Sequence, residues 1–258
     1  MGGPRCLLGA EGGARLGQEL ETDGIQIVYD IHGEGSPVLL LHGGSVDSTW
    51  WGSLIPTLAE SRTVIAMDSR GHGRSSLDQR QITYRHMADD TLALLDHLGI
   101  DRVDIVGWSD GAIIAFDIAL RTPERLRKVV AYGGNFDLSG YRTGESVQSA
   151  AMDLVFAESP KRYREQSPHP ERWDEFMANL RQMYATEPNW TRDEIASIQT
   201  PILVLDGIDE EVIDIDHVRL LADLLPNGEL LLMPGTGHFA MVDQPEAFTR
   251  IVGEHLDS

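Results

Sequence analysis

Residues 103–111 read Val-Asp-Ile-Val-Gly-Trp-Ser-Asp-Gly, and no other stretch constrains the fold as tightly. An apolar run with β-branched residues ends in Gly107-Trp108-Ser109-Asp110-Gly111, and a helical pattern follows at once over 112–120. Ser109 is therefore predicted on a sharp turn from strand to helix. The flanking glycines have a steric reason to be there: such a turn strains the serine backbone, and side chains two residues to either side would collide.

The rest of the chain fits an alternating α/β pattern around that turn. Residues 25–32 alternate apolar and polar as a half-buried strand. Residues 38–41 and 63–67 are continuous apolar runs, the mark of strands covered on both faces. Helices are expected after Asp47 or Ser48, carrying Trp50, Trp51, Leu54 and Leu58, and over 84–98, where Gly99 is the stop signal. A strand at 128–132 follows the helix after Ser109. From 135 to 199 the strand signal disappears; Pro160, Pro168, Pro170 and Pro188 are expected to break an amphipathic segment into short helices. Alternation then resumes with a strand at 201–205, a helix at 217–225, a strand at 229–233 and a helix at 245–255. This order implies one domain with a mostly parallel sheet and right-handed crossovers, divided into a flexible leader (1–17), an α/β core (18–134 and 200–258) and a helical lid (135–199).

Composition narrows the function. With 258 residues the chain can bury one sizeable core, and a net charge of −20 argues against nucleic acid or an anionic membrane as partner. A small molecule is the expected partner. Cys6 is the single cysteine, so no intrachain disulfide can form, and the short apolar patch near it falls below the length of a secretory signal; the expected address is the cytoplasm.

A serine hydroxyl is a weak nucleophile at neutral pH and needs a base, which in turn needs an orienting acid. Ser109 is the expected nucleophile. His238, in the loop Gly237-His238-Phe239 after the last strand, is the expected base, because loops at the carboxyl edge of such sheets collect ligand-facing residues. His86, His97, His217 and His255 fall on predicted helices and are read as solvated. The acid is expected after the 201–205 strand, in Asp206-Gly207-Ile208-Asp209-Glu210-Glu211. Spacing favours Glu210, with Asp209 the alternative and Asp137 the next candidate; the other carboxylates are read as solvated loop charges. Oxyanion donors are expected from the N–H groups of Asp110 and Gly44, with Ser45 as the alternative to Gly44. Ser45, Trp108 and Phe239 are candidates for substrate contact, and His42 for bracing its loop.

Four motifs in this order, Leu41-His42-Gly43-Gly44, Asp68-Ser69-Arg70-Gly71-His72-Gly73-Arg74-Ser75, Gly107-Trp108-Ser109-Asp110-Gly111 and Gly237-His238-Phe239, resemble the α/β-hydrolase superfamily from residue 25 to the end of the chain. The resemblance implies an eight-stranded sheet, a cap after the sixth strand and a cofactor-free Ser/His/acid site. It leads us to expect a serine hydrolase of small carboxylic esters or lactones. Carbon–carbon bond hydrolases, perhydrolases and lyases on the same fold are alternatives, as is a receptor-like protein with little turnover. Arg70, His72 and Arg74 look like a phosphate cluster but lack P-loop spacing, so a structural role is expected. His72 has no His or Cys at ligand spacing, and no metal is expected.

One departure from the family pattern bears on substrate choice. Asp110 puts a carboxylate directly beside the nucleophile, where many relatives have an apolar residue. Aimed into a pocket it favours an ammonium group; turned the other way it serves its helix terminus.

Overall fold

The computed structural model describes residues 13–143 and 148–258. They form eight strands, β1 (Arg15–Thr22), β2 (Ile25–His32), β3 (Ser36–Leu41), β4 (Arg62–Met67), β5 (Val103–Trp108), β6 (Leu126–Tyr132), β7 (Ile202–Gly207) and β8 (Gly228–Met233). The helices are α1 (Leu54–Leu58), α2 (Tyr84–Leu98), α3 (Asp110–Arg121), α4 (Ala150–Gln166), α5 (Trp173–Tyr184), α6 (Arg192–Ser197), α7 (Ile215–Leu224), α8 (Ala240–Asp243) and α9 (Pro245–Asp257). The strands make one sheet in the order β1-β2-β4-β3-β5-β6-β7-β8. Only β2 runs against its neighbours; every pairing from β4 to β8 is parallel.

The period-two rule explains how the sheet separates two apolar layers. Along β3, Leu39 and Leu41 join the layer covered by α2, α3 and α7. Val38 and Leu40 face the other way, toward Leu54 of α1 and Phe248 and Val252 of α9. Helix α2 begins where Thr83 accepts the His86 N–H and ends at Gly99 in the left-handed region, φ 69°.

Topology fixes where a site can form. After β3 the chain crosses to β4 on one side, then returns to β5 on the other, with Leu41 in register with Gly107. The loops leaving β3 and β5 therefore diverge from adjacent strand ends, and the crevice between them is the natural ligand position.

Four sequence expectations change. Residues 1–12 lie outside the described residues, but Arg15–Thr22 is already a strand paired with β2, so the leader as drawn to 17 overlaps β1. Its apolar positions, Leu16 and Leu20, are too sparse to give a strand signal because this edge strand is mostly solvent-facing. Pro160 does not break α4, which runs through it for 17 residues with Val155, Ser159 and Tyr163 buried; tertiary packing overrides the local penalty. His217 is not solvated: it stacks on Phe136 at 4.3 Å and accepts the Phe136 N–H at 3.2 Å. Asp206 and Glu211, read as solvated loop charges, are 0% and 7% exposed.

Candidate active site

Ser109 sits between β5 and α3 with φ 54° and ψ −115°. The elbow needs both of its glycines. A Cβ on Gly107 would lie 2.4 Å from the Gly111 carbonyl oxygen, and one on Gly111 would lie 1.8 Å from that of Leu41. Three non-glycine residues among those described have positive φ, and two of them, Ser45 and Ser109, line the same cavity. Backbone strain is thus concentrated at the crevice.

That cavity measures about 280 Å³. Gly44, Ser45, Trp108, Ser109, Asp110, His238 and Phe239 all contribute to its wall. Glu210 lies behind His238, fully buried, with its Oε1 2.9 Å and Oε2 3.1 Å from Nδ1 of His238. Asp209, two residues past β7, is exposed, its own N–H tied to the Thr236 carbonyl at 3.0 Å. Asp137 instead accepts the Ser139 N–H at the start of a short turn. Geometry therefore pairs the imidazole with Glu210 rather than with either alternative.

The His238 loop is held from several sides. Trp108 Nε1–H donates to the His238 carbonyl at 2.9 Å, Glu211 Oε2 accepts the His238 N–H at 2.5 Å, and Tyr132 Oη–H donates to the Gly237 carbonyl. Glu210 Oε1 also accepts the N–H groups of Val212 (2.7 Å) and Ile213 (3.0 Å). Burial opposes charge on the imidazole, but the Glu210 carboxylate against Nδ1 outweighs it and raises the His238 pKa above its ordinary value. Burial likewise opposes the Glu210 charge, and the His238 imidazole and the surrounding donors overcome it, holding that carboxyl below the usual range.

His42 orients the opposite wall. Its Nε2 accepts the Ser69 N–H at 3.0 Å, so the proton resides on Nδ1, which donates to the Gly43 carbonyl at 2.7 Å. The N–H of Gly44 belongs to that same planar trans peptide and points opposite to the Gly43 carbonyl. The Asp110 N–H, first in α3, has no intrahelical acceptor.

Asp110 itself is 4% exposed, and its side chain lines the cavity. Oδ1 accepts from Tyr84 Oη and Oδ2 from Tyr184 Oη, both at 2.9 Å. Burial raises its pKa against the lowering effect of these two phenols. Tyr141 and Asn135 add to the same end of the wall. Sequence reading missed this tyrosine group: Tyr84 and Tyr184 stand 26 and 74 residues from Asp110 and carry no motif. Phe156 and Met177 reach the cavity, whereas Trp51 and Met183 are plain core.

Among the described residues no group of three His, Cys, Asp or Glu could hold a metal ion, and no helix is long and apolar enough to cross a membrane. The Asp68–Ser75 loop stays outside the cavity wall: Arg70 grips Asp90 through two bonds of 2.6 and 2.7 Å, and Arg74 Nε meets Asp68 at 2.7 Å.

Comparison with known proteins gives a consistent result. The profile of the alpha/beta hydrolase family matches residues 38–251. The chain is similar to the 2-hydroxymuconate semialdehyde hydrolase of Pseudomonas sp. strain CF600, 28% identical over 93% of this chain and 94% of that one. It is also similar to the 2-hydroxy-6-oxo-2,4-heptadienoate hydrolase of Pseudomonas putida, 28% identical over 94% and 97%. Among solved structures it resembles Est816, described as an N-acyl homoserine lactone degrading enzyme, with 27% identity, a TM-score of 0.72 and coverage of 92% and 99%.

Proposed function

Because this chain belongs to the alpha/beta hydrolase family and is a hydrolase, we propose that it cleaves small carboxylic esters or lactones, with a preference for substrates bearing an ammonium group near the acyl carbon. Ser109 Oγ attacks the carbonyl carbon while Nε2 of His238, free because Nδ1–H engages Glu210, takes the hydroxyl proton. The N–H groups of Gly44 and Asp110 receive the oxyanion; the Gly43 carbonyl anchored on His42 supports that aim for Gly44. His238 returns the proton to the leaving oxygen. Water, deprotonated by the same imidazole, then frees the acyl group from Ser109.

The observation that carries the substrate preference is the charge of the wall. No Arg or Lys lines the cavity among the described residues, and Asp110 is the one carboxylate that does. A dienoate of the kind named for the Pseudomonas putida relative brings a carboxylate, which this wall would repel. An ionised carboxylate offers about four lone-pair sites. Asp110 uses two of them on the tyrosines, so acceptor capacity remains for an ammonium group. Val155, Phe156 and Met177 supply apolar surface for the remainder of the substrate.

The test is kcat/KM for an α-amino acid p-nitrophenyl ester against its des-amino counterpart at neutral pH. The expected preference is about tenfold or more, from one ion pair in a partly dry site, and Asp110→Asn removes it. Equal rates for the two esters, or a preference that survives Asp110→Asn, would overturn the substrate assignment. Faster turnover of a dienoate than of either ester would move the reading to carbon–carbon bond hydrolysis.

A further inference from the structure

Behind Glu210 lies a second carboxyl group with no place in the mechanism above. Asp206, the penultimate residue of strand β7, is 0% exposed and accepts the Gly207 N–H through Oδ1 at 2.8 Å. Its Oδ2 is buried and meets no donor among the described residues. Its interacting neighbour is the Glu210 carboxyl group, four residues further along the same segment. Two ionised carboxylates can only accept, so this contact exists as a hydrogen bond only when one of them carries a proton.

The donors around the pair decide which one. Glu210 receives Val212 N–H, Ile213 N–H and the His238 imidazole. Asp206 receives one backbone N–H. The remaining groups nearby do not alter the balance: Tyr132 Oη–H is directed to the Gly237 carbonyl, and Glu211 adds further negative charge. Charge therefore settles on Glu210 and the proton on Asp206.

We propose that Asp206 is a positioning residue, protonated and donating a hydrogen bond to Glu210, so that the relay runs from Ser109 through His238 and Glu210 to Asp206. Burial, followed by the Glu210 charge, raises the Asp206 pKa, in agreement with that arrangement. Such a donor helps fix the Glu210 carboxylate whose two oxygens face the imidazole, locking the ring against rotation. It also disperses part of the Glu210 charge away from Nδ1. A charge-assisted bond of this type is short, directional and stronger than a neutral one.

The inference rests on the reading of His238 and Glu210 as base and orienting acid, and the experiment separates the two. Infrared spectra of the intact protein should contain the carbonyl stretch of a protonated carboxyl group that is lost in Asp206→Asn. An asparagine amide is neutral and can donate like the protonated acid, so Asp206→Asn should keep kcat within about threefold and leave the acid limb of the kcat/KM profile in place. Asp206→Leu removes the donor. It should lower kcat about tenfold with KM within about twofold, and shift the acid limb upward as Glu210 directs more charge at Nδ1. Absence of the infrared band, or a downward shift of the limb in Asp206→Asn, means that Asp206 is ionised and overturns the proposal. So does an unchanged pH profile and kcat in Asp206→Leu, provided that Glu210→Gln measured beside it collapses activity. If Glu210→Gln itself retains activity, the underlying His238–Glu210 reading fails and the Asp206 role falls with it.

Discussion

Two loops at the carboxyl edge of the sheet hold buried histidine among buried charges, and they behave in opposite ways. In the loop after β4, the His72 ring lies edge-on to Phe176 at 4.7 Å and 5.0 Å from His42, with Nδ1–H donating to the Arg70 carbonyl at 3.0 Å. Burial, then the neighbouring His42, pushes its pKa down to about 3. Around it Asp68 accepts the Ser48 N–H at 2.9 Å and the Arg74 N–H at 3.1 Å, while Arg70 Nε and Nη2 donate to Asp90. The Asp68–Ser48 and Arg70–Asp90 contacts tie this loop to other segments of the chain. At the β7 and β8 ends, by contrast, the carboxylate beside His238 raises the imidazole pKa, and its ring opens on the cavity. A dense set of buried charges is therefore a poor guide to chemistry. The better guide is a buried titratable group oriented from behind and left open in front.

The contrast is broken most severely by removing the orienting acid. Glu210→Gln should lower kcat/KM by about 10³-fold or more, because the amide can no longer hold the Nδ1–H tautomer as an anion does. Asp209→Asn, at an exposed position, should stay within about twofold. Steady-state kinetics on the two variants side by side check this, and equal losses would erase the distinction between them.

The other loop should respond in stability rather than in chemistry. Asp90→Leu leaves the Arg70 guanidinium buried without its bidentate partner. It should reduce unfolding free energy by about 3–5 kcal/mol in a denaturant titration, with kcat/KM per folded molecule altered little. A large loss of kcat/KM at full stability would make that loop part of the catalytic apparatus.

The gentlest comparison is by pH. Catalysis needs neutral His238, and a raised pKa keeps the ring protonated to higher pH, so kcat/KM should fall away on the acid side through a limb above 6.5. His72→Gln should leave that limb where it is.

Much of this architecture is legible in the sequence alone. The continuous apolar runs give β3 and β4 because strands covered on both faces have no polar side to disguise them. The 84–98 helix is closed by its Gly99 stop signal, and the elbow glycines imply the collision that a Cβ at Gly107 or Gly111 would meet. What escaped was set by tertiary contact. Strand β1 carries too little apolar surface to reveal its period, and Pro160 is tolerated only because its helix is packed. Asp206, Glu211, Tyr84 and Tyr184 have no local signature, since their surroundings come from distant segments. Spacing favours Glu210 but leaves Asp209 open as the alternative, because which carboxylate meets the His238 loop depends on tertiary contact.

Labelling with a fluorophosphonate, followed by peptide mass spectrometry across a pH series, asks whether the hydroxyl at the elbow is activated by the imidazole opposite. The expected adduct is on Ser109, forming faster as pH rises through the His238 limb and nearly abolished in His238→Ala. An adduct on another serine, or Ser109 labelling at an undiminished rate without His238, would contradict the assignment of nucleophile and base.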